Sequence, residues 1–242
     1  MNGEENKEED KMKNTKLMGL GAPAYISIDC ESDGLWGPVF MIGVSVLDMY
    51  GNEIENTLFS YKGYENDVKN QWVKDNVIPV ITLPEQGVHT QEGEVPLVHI
   101  QPATREKMLQ AFSLVWLSEW KQLTTIWHMG HVVESGFFHE LHSKGYIGDF
   151  DAPYTPIEVS AFLKWSGNAP DSVDNYAKRK LKQIDGSTHD PLFDARVTAQ
   201  VYFDIISKYS MPVNKTDWGP EIDPNFKIKP KRKKVTKIEI NK

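Results

Sequence analysis

"PAYISIDCESDGLWGPVFMIGVSVLDMYGNEIENTLFSYKG", residues 23–63, holds three apolar, β-branched runs separated by polar turns. "PAYISIDC" reads as a buried strand, "VFMIGVSVLDM" as a second, and "EIENTLFSYKG" as a third with rough alternation. The "YGNE" between the last two is a hairpin signal, so an antiparallel three-strand meander is expected. The first strand ends unusually. Asp29 and Glu31 stand two residues apart, with Gly34 and Leu35 close behind. Side chains two apart on a strand share a face, so the carboxylates repel unless a hard cation sits between them. Taken alone, D-x-E also suits a strand that ends in a solvated polar turn.

Working outward, "ENDVKNQWVKDNVIPVI" predicts a helix that ends before Pro79. Residues 82–103, "TLPEQGVHTQEGEVPLVHIQPA", have no period and read as a flap or insertion. A helix over "ATREKMLQAFSLVWLSEWKQL" follows, then a strand at "TTIWH" and a helix over "ESGFFHELHSKGYI" that closes near Gly145. "YTPIEVSAFL" reads as a strand running into a turn or short helix, and "DSVDNYAKRKLKQI" as a helix with Asp171 as its N-cap. "PLFDARVTAQVYFDIISKYS" is the last long helix, with Pro191 in its first turn. A meander followed by alternating helices and strands predicts an α/β fold with a mixed sheet flanked by helices.

Charge is unevenly placed. Of the net −7, residues 226–242 contribute +7 and residues 1–21 contribute −1, which leaves −13 on the body between. An acidic body with a basic tail suits an acidic, metal-holding cleft rather than a DNA-coating surface. The single cysteine, Cys30, excludes an intrachain disulfide and a cysteine-based zinc site. No apolar run is long enough to span a bilayer, and the N-terminus lacks the order of a signal peptide. The expectation is a cytoplasmic protein with no membrane contact, or a nuclear one if eukaryotic, because "KPKRKKVTK" resembles an import signal. The expected organisation is a disordered charged segment (1–21), a folded domain (22–210) with a flap at about 82–103, and a basic tail (211–242).

"THDPLFDARVTAQVYF" sharpens the function. His189 precedes a helix start and Asp194 lies five residues on, which sets an imidazole beside a helix-borne carboxylate. Imidazole is the side chain best suited to take a proton near neutral pH. A surface histidine before a helix with a solvated aspartate is the plain reading of that stretch by itself.

"DCESDGL" resembles the first motif, D-x-E-x-x-G-L, of the DEDD superfamily of 3′–5′ exonucleases. "HDPLFDARVTA" resembles the third motif, H-x4-D-A-x-x-T-A, of its histidine-containing branch, which includes polymerase proofreading subunits, ribonuclease T and oligoribonuclease. The resemblance spans roughly residues 24–209. It implies a ribonuclease H-like fold and an enzyme that hydrolyses phosphodiester bonds of single-stranded DNA or RNA from the 3′ end, releasing 5′-mononucleotides. It implies two Mg²⁺ or Mn²⁺ ions held by Asp29, Glu31, a third acid and Asp194, with His189 as general base. The usual H-N-x-x-F-D of the second motif reads "WHMGHVVESGFF" here, so Glu134 takes the place of the third acid and Gly130 that of the asparagine. Asp33 replaces a common threonine. Gly34 and Leu35 match the motif, Leu35 at a position that wedges the terminal base, and Trp36 beside them offers a stacking face for substrate. Relatives act as homodimers or inside larger protein assemblies, so either is an expected partner.

Three rival readings stand beside this one, one of them an unrelated α/β protein with chance motifs. The substrate is a short or cyclic oligonucleotide under the 82–103 flap, or the chain is a nuclease-like module that binds nucleic acid or a protein after losing a proper second motif. The pairs His128/His131 and His139/His142 have helical metal spacing but no cysteine partner, and His89 and His99 lie in the insertion.

Overall fold

The computed structural model describes residues 21–90, 94–181, 184 and 186–209. The basic tail (211–242) and all but Gly21 of the charged N-terminal segment lie outside them.

Strands β1 (Pro23–Ser32), β2 (Val39–Asp48) and β3 (Glu53–Phe59) form the antiparallel meander. Asp48 closes its hairpin by accepting hydrogen bonds from the Tyr50 and Asn52 amides, and Gly51 takes a left-handed φ of 85° there. Every residue of β2 is buried, because both faces of the sheet are covered.

The expected helix over 65–81 is three pieces: α1 (Tyr64–Asp67), α2 (Gln71–Asn76) and a 3₁₀ turn (Ile78–Val80). The break has a cause distant in sequence. Asp33 accepts hydrogen bonds from the Lys69 and Asn70 amides, and the Asn70 side chain caps α2 through the Trp72 and Val73 amides. The 82–103 segment contributes two short strands, β4 (Gly87–His89) and β5 (Leu97–Ile100), and β5 runs parallel to β3. Three and four residues are too few to display a period, so pairing with β3 decides them. His99 is buried and held by Ser60 Oγ at 2.9 Å and the Pro84 carbonyl at 2.8 Å, which removes it from phosphate contact.

Helix α3 (Arg105–Val115) starts at a Thr104 cap and passes into a π-helical turn (Trp116–Trp120). Strand β6 (Thr124–Trp127) lies parallel to β1, and α4 (Val133–Ser143) follows it. Then come β7 (Ile157–Glu158), α5 (Val159–Trp165), α6 (Val173–Lys180) and α7 (Pro191–Tyr209). Ser172, not Asp171, caps α6, because its hydroxyl accepts from the Asn175 amide. The seven-stranded mixed sheet has the order β4-β5-β3-β2-β1-β6-β7. One core joins Phe40, Phe59, Phe112, Trp116, Phe137 and Phe138; the other joins Ile126, Leu163, Tyr176 and α7's Val197, Val201 and Ile205. No described helix is long and apolar enough to cross a membrane.

Candidate active site

The site begins where β1 ends. Alternation sets Asp29 and Glu31 on one face, and both line a cleft of about 540 Å³ with Cys30, Leu35, Glu134, His189 and Asp194. Asp29 pairs in register with Gly43 of β2. A Cβ on Gly43 would lie 2.1 Å from the Pro191 carbonyl oxygen and 2.4 Å from the Leu192 amide nitrogen, so only glycine lets the first turn of α7 settle onto β2. That approach brings Asp194 to the end of β1.

Asp190 caps α7, its Oδ1 accepting from the Leu192 and Phe193 amides and its Oδ2 from the Thr82 amide. Asp194 reaches back from the first turn, and its Oδ2 accepts the His189 N–H at 2.7 Å. His189 sits at a left-handed φ of 69°, uncommon for a residue with a side chain. Its Nδ1 lies 3.9 Å from Glu31 Oε1. One ligating atom from each of Glu31, His189 and Asp194 falls within 4.8 Å of the other two.

Glu134 stands in the first turn of α4, where the helix dipole favours an anion. It is 4% exposed, and its Oε1 accepts the Cys30 N–H at 2.9 Å, so one oxygen is engaged by β1 itself. The loop before it is held by Glu158, which accepts the Met129 and Gly130 amides. Gly130 has a local reason to be glycine, since a Cβ there would meet the Trp127 ring at 2.5 Å.

The electrostatics are severe. Burial first, then Asp194, Glu31, Glu134 and Asp190, push the Asp29 carboxyl well above the usual carboxylate range. Burial, then Asp194, Glu134 and Asp190, do the same to Glu31. Burial pushes Glu134 and Asp194 each up to about 7. Burial, then Glu134, Asp29 and Glu31, also raises the Cys30 thiol, so it is no ready nucleophile. Asp194 Oδ1 is buried, and among the described residues it has no hydrogen-bond partner. An orphaned carboxylate oxygen beside other crowded carboxylates is the donor set a hard divalent cation takes, so the residues fit such an ion.

The sequence-predicted residues do not all converge. Leu35 lines the cleft, whereas Trp36, 86% exposed, lines an adjoining groove of about 350 Å³ with Leu35, Val133 and Phe137. Gly34 lines neither; its left-handed φ of 79° makes the turn beyond β1, against the Asn70 side chain. The structure adds residues that the motifs did not single out. Asp190 was legible as a cap, an Asp before Pro at a helix start. Asp174, Thr188, His128, His131 and Met129 also line the cleft. The His128 Nε2 pairs with the Pro170 carbonyl, and His142 pairs with Asp149. Trp72 of α2 lies against the His189 ring, with no local signal in the sequence.

S. pombe Pop2p in its Mg²⁺- and Mn²⁺-bound form is similar, with a TM-score of 0.57 at 13% identity over 83% of this chain and 90% of that one. The chain has the ribonuclease H-like fold. A chain in the structure of the yeast NOT1 MIF4G domain co-crystallised with CAF1 matches with a TM-score of 0.47 at 11% identity, covering 80% of this chain and 82% of that one. No protein-family model matches the chain, and no curated protein matches it in sequence.

Proposed function

We propose that the protein is a metal-dependent 3′–5′ exonuclease of the DEDD superfamily that hydrolyses phosphodiester bonds of single-stranded DNA or RNA and releases 5′-mononucleotides. The observation that carries this reading is the convergence of four mutually repelling carboxylates, Glu31, Glu134 and Asp194 buried and Asp29 half-buried, with the His189 imidazole in a single cleft. Asp29, Glu31 and Asp194 would hold Mg²⁺ or Mn²⁺, two ions by the motif resemblance, with Glu134 as the fourth acid. Such ions, when bound, neutralise the carboxylates and stabilise charge on the attacking and departing oxygens of a phosphodiester. That a protein of the same fold binds Mg²⁺ and Mn²⁺ is in keeping with this choice of ion.

The chain's own residues supply the remainder. His189 takes the proton from the attacking water, and the Asp194 hydrogen bond to its backbone fixes where the imidazole starts. His189 in this role would place the chain in the histidine-containing branch. Leu35 wedges the terminal base, and Trp36, free to stack, takes the neighbouring one. Gly34 shapes the turn that carries both. The basic tail draws phosphate toward the acidic body and makes binding salt-dependent. Homodimers or a larger protein assembly, and a cytoplasmic or nuclear location, complete the proposal.

The test incubates the protein with 3′- and 5′-labelled single-stranded DNA and RNA in Mg²⁺, Mn²⁺ or EDTA, beside Asp29→Ala and Glu134→Ala. Metal-dependent shortening from the 3′ end, lost in both variants, is expected. Activity surviving Glu134→Ala would remove Glu134 from the essential set. A second reading has its own observation: Glu134 Oε1 is engaged by the Cys30 amide, which suits a binding module with a degraded second motif. Tight nucleic-acid binding with no cleavage of polymers or of short and cyclic oligonucleotides would favour it.

A further inference from the structure

Outside the carboxylate cleft, an aromatic side chain meets the proposed general base. Trp72 packs edge-on against the His189 imidazole, with ring centroids 5.3 Å apart and planes at 88°. Trp72 is 55% exposed, so filling the core does not account for its place. Its position is instead built from the end of β1. Asp33, the departure from the usual threonine, accepts the Asn70 amide at 2.7 Å and the Lys69 amide at 3.0 Å. Asn70 in turn caps α2 by accepting from the Trp72 and Val73 amides at 2.9 and 3.3 Å. The turn that follows the paired carboxylates therefore carries the helix that carries Trp72.

His189 needs such a support. Its backbone is left-handed, its side chain is 41% exposed, and its N–H is committed to Asp194. Among the described residues its ring nitrogens make no hydrogen bond, the Glu31 carboxylate at 3.9 Å being too distant for one. Among the described residues, Trp72 is the ring that packs against the imidazole.

We infer that Trp72 is a positioning residue for His189, fixing the imidazole at the cleft, and that Asp33 and Asn70 form the strut that holds Trp72 there. The contact rests on geometry alone; its kinetic consequence rests on the nuclease reading above. An edge-to-face aromatic pair favours the packed arrangement by about two- to tenfold. Trp72→Ala is therefore expected to lower kcat by about that factor and leave KM unchanged. The same loss should appear on a single-stranded oligonucleotide and on a chromogenic nucleotide phosphodiester with no neighbouring base. Trp72→Phe should restore most of it, and Asp33→Asn should lower kcat in the same direction.

NMR of the metal-free full chain supplies a readout that needs no activity. The His189 ring protons, identified by their loss in His189→Gln, should be displaced by the indole and return toward free-imidazole positions in Trp72→Ala. Resonances that do not move in Trp72→Ala would overturn the inference. So would a rise in KM confined to the oligonucleotide with kcat intact, which would make Trp72 a base-stacking surface instead. If the wild type cleaves neither substrate, the nuclease reading falls by itself, and the His189 resonances still decide for or against the contact.

Discussion

Replacing Glu134 by glutamine tests the central electrostatic argument without any assay of activity. Glu134 is 4% exposed, and burial lifts its carboxyl from an ordinary value of 4.5 to about 7. The sign follows from proton linkage. Below the unfolded value both states are protonated, and the site carries no penalty. Between there and about 7 the folded protein holds a proton that the unfolded chain has released, so stability falls as pH rises. Above that window both states are ionised, and the full penalty of roughly 3 kcal/mol is present. Glutamine cannot ionise, yet its Oε1 can still accept the Cys30 N–H that lies 2.9 Å from the carboxylate. In EDTA at pH 8, Glu134→Gln should thus be more stable than wild type, by up to about 3 kcal/mol, or about 6–12 °C in Tm for a domain of this size. At pH 4.5 the two proteins should melt together. Thermal melts followed by circular dichroism at pH 4.5, 6 and 8 measure both ends. A variant equal to or less stable than wild type at pH 8 would refute the claim that this carboxylate is held against its own charge.

Three further outcomes follow from the same geometry. Mg²⁺ or Mn²⁺ should raise the wild-type Tm strongly at pH 8 and little at pH 5, because protons compete for Asp29, Glu31, Glu134 and Asp194; calorimetry across that range checks it. Gly43→Ala should destabilise the fold by about 1–3 kcal/mol in urea titrations, since its Cβ would meet the Pro191 carbonyl at 2.1 Å, and should weaken metal binding by lifting Asp194 from β1. Trp36→Ala should leave Tm within about 1 °C while raising KM for single strands by roughly five- to a hundredfold, the worth of one lost base stack of about 1–3 kcal/mol.

The strands of the meander and the spacing of the acids were legible because their signals are local. An apolar run before D-x-E places two carboxylates on one strand face whatever the remainder of the chain does. Asp194 in a helix's first turn, and His189 before it, are equally local, whereas Glu134 was reached only through the family resemblance, at the place of the third acid. The broken helix at 64–80 was not legible. The residue that interrupts it, Asp33, stands 36 positions from Lys69. Strands β4 and β5 were hidden for a similar reason, since segments this short take their state from the partner they pair with.

By itself, then, the sequence determined the α/β class and the meander, which depend on residue type and short-range period, and its resemblance singled out which side chains are candidates for chemistry. The tertiary structure alone decided that Glu31, His189 and Asp194 meet, and that one oxygen of Glu134 turns to the Cys30 amide. It alone decided that Gly43 is the gap through which α7 approaches and that Trp72 stands against the imidazole. Those facts depend on which distant backbone comes close to which, and a side chain records nothing of its future neighbour until the sheet and helices have packed.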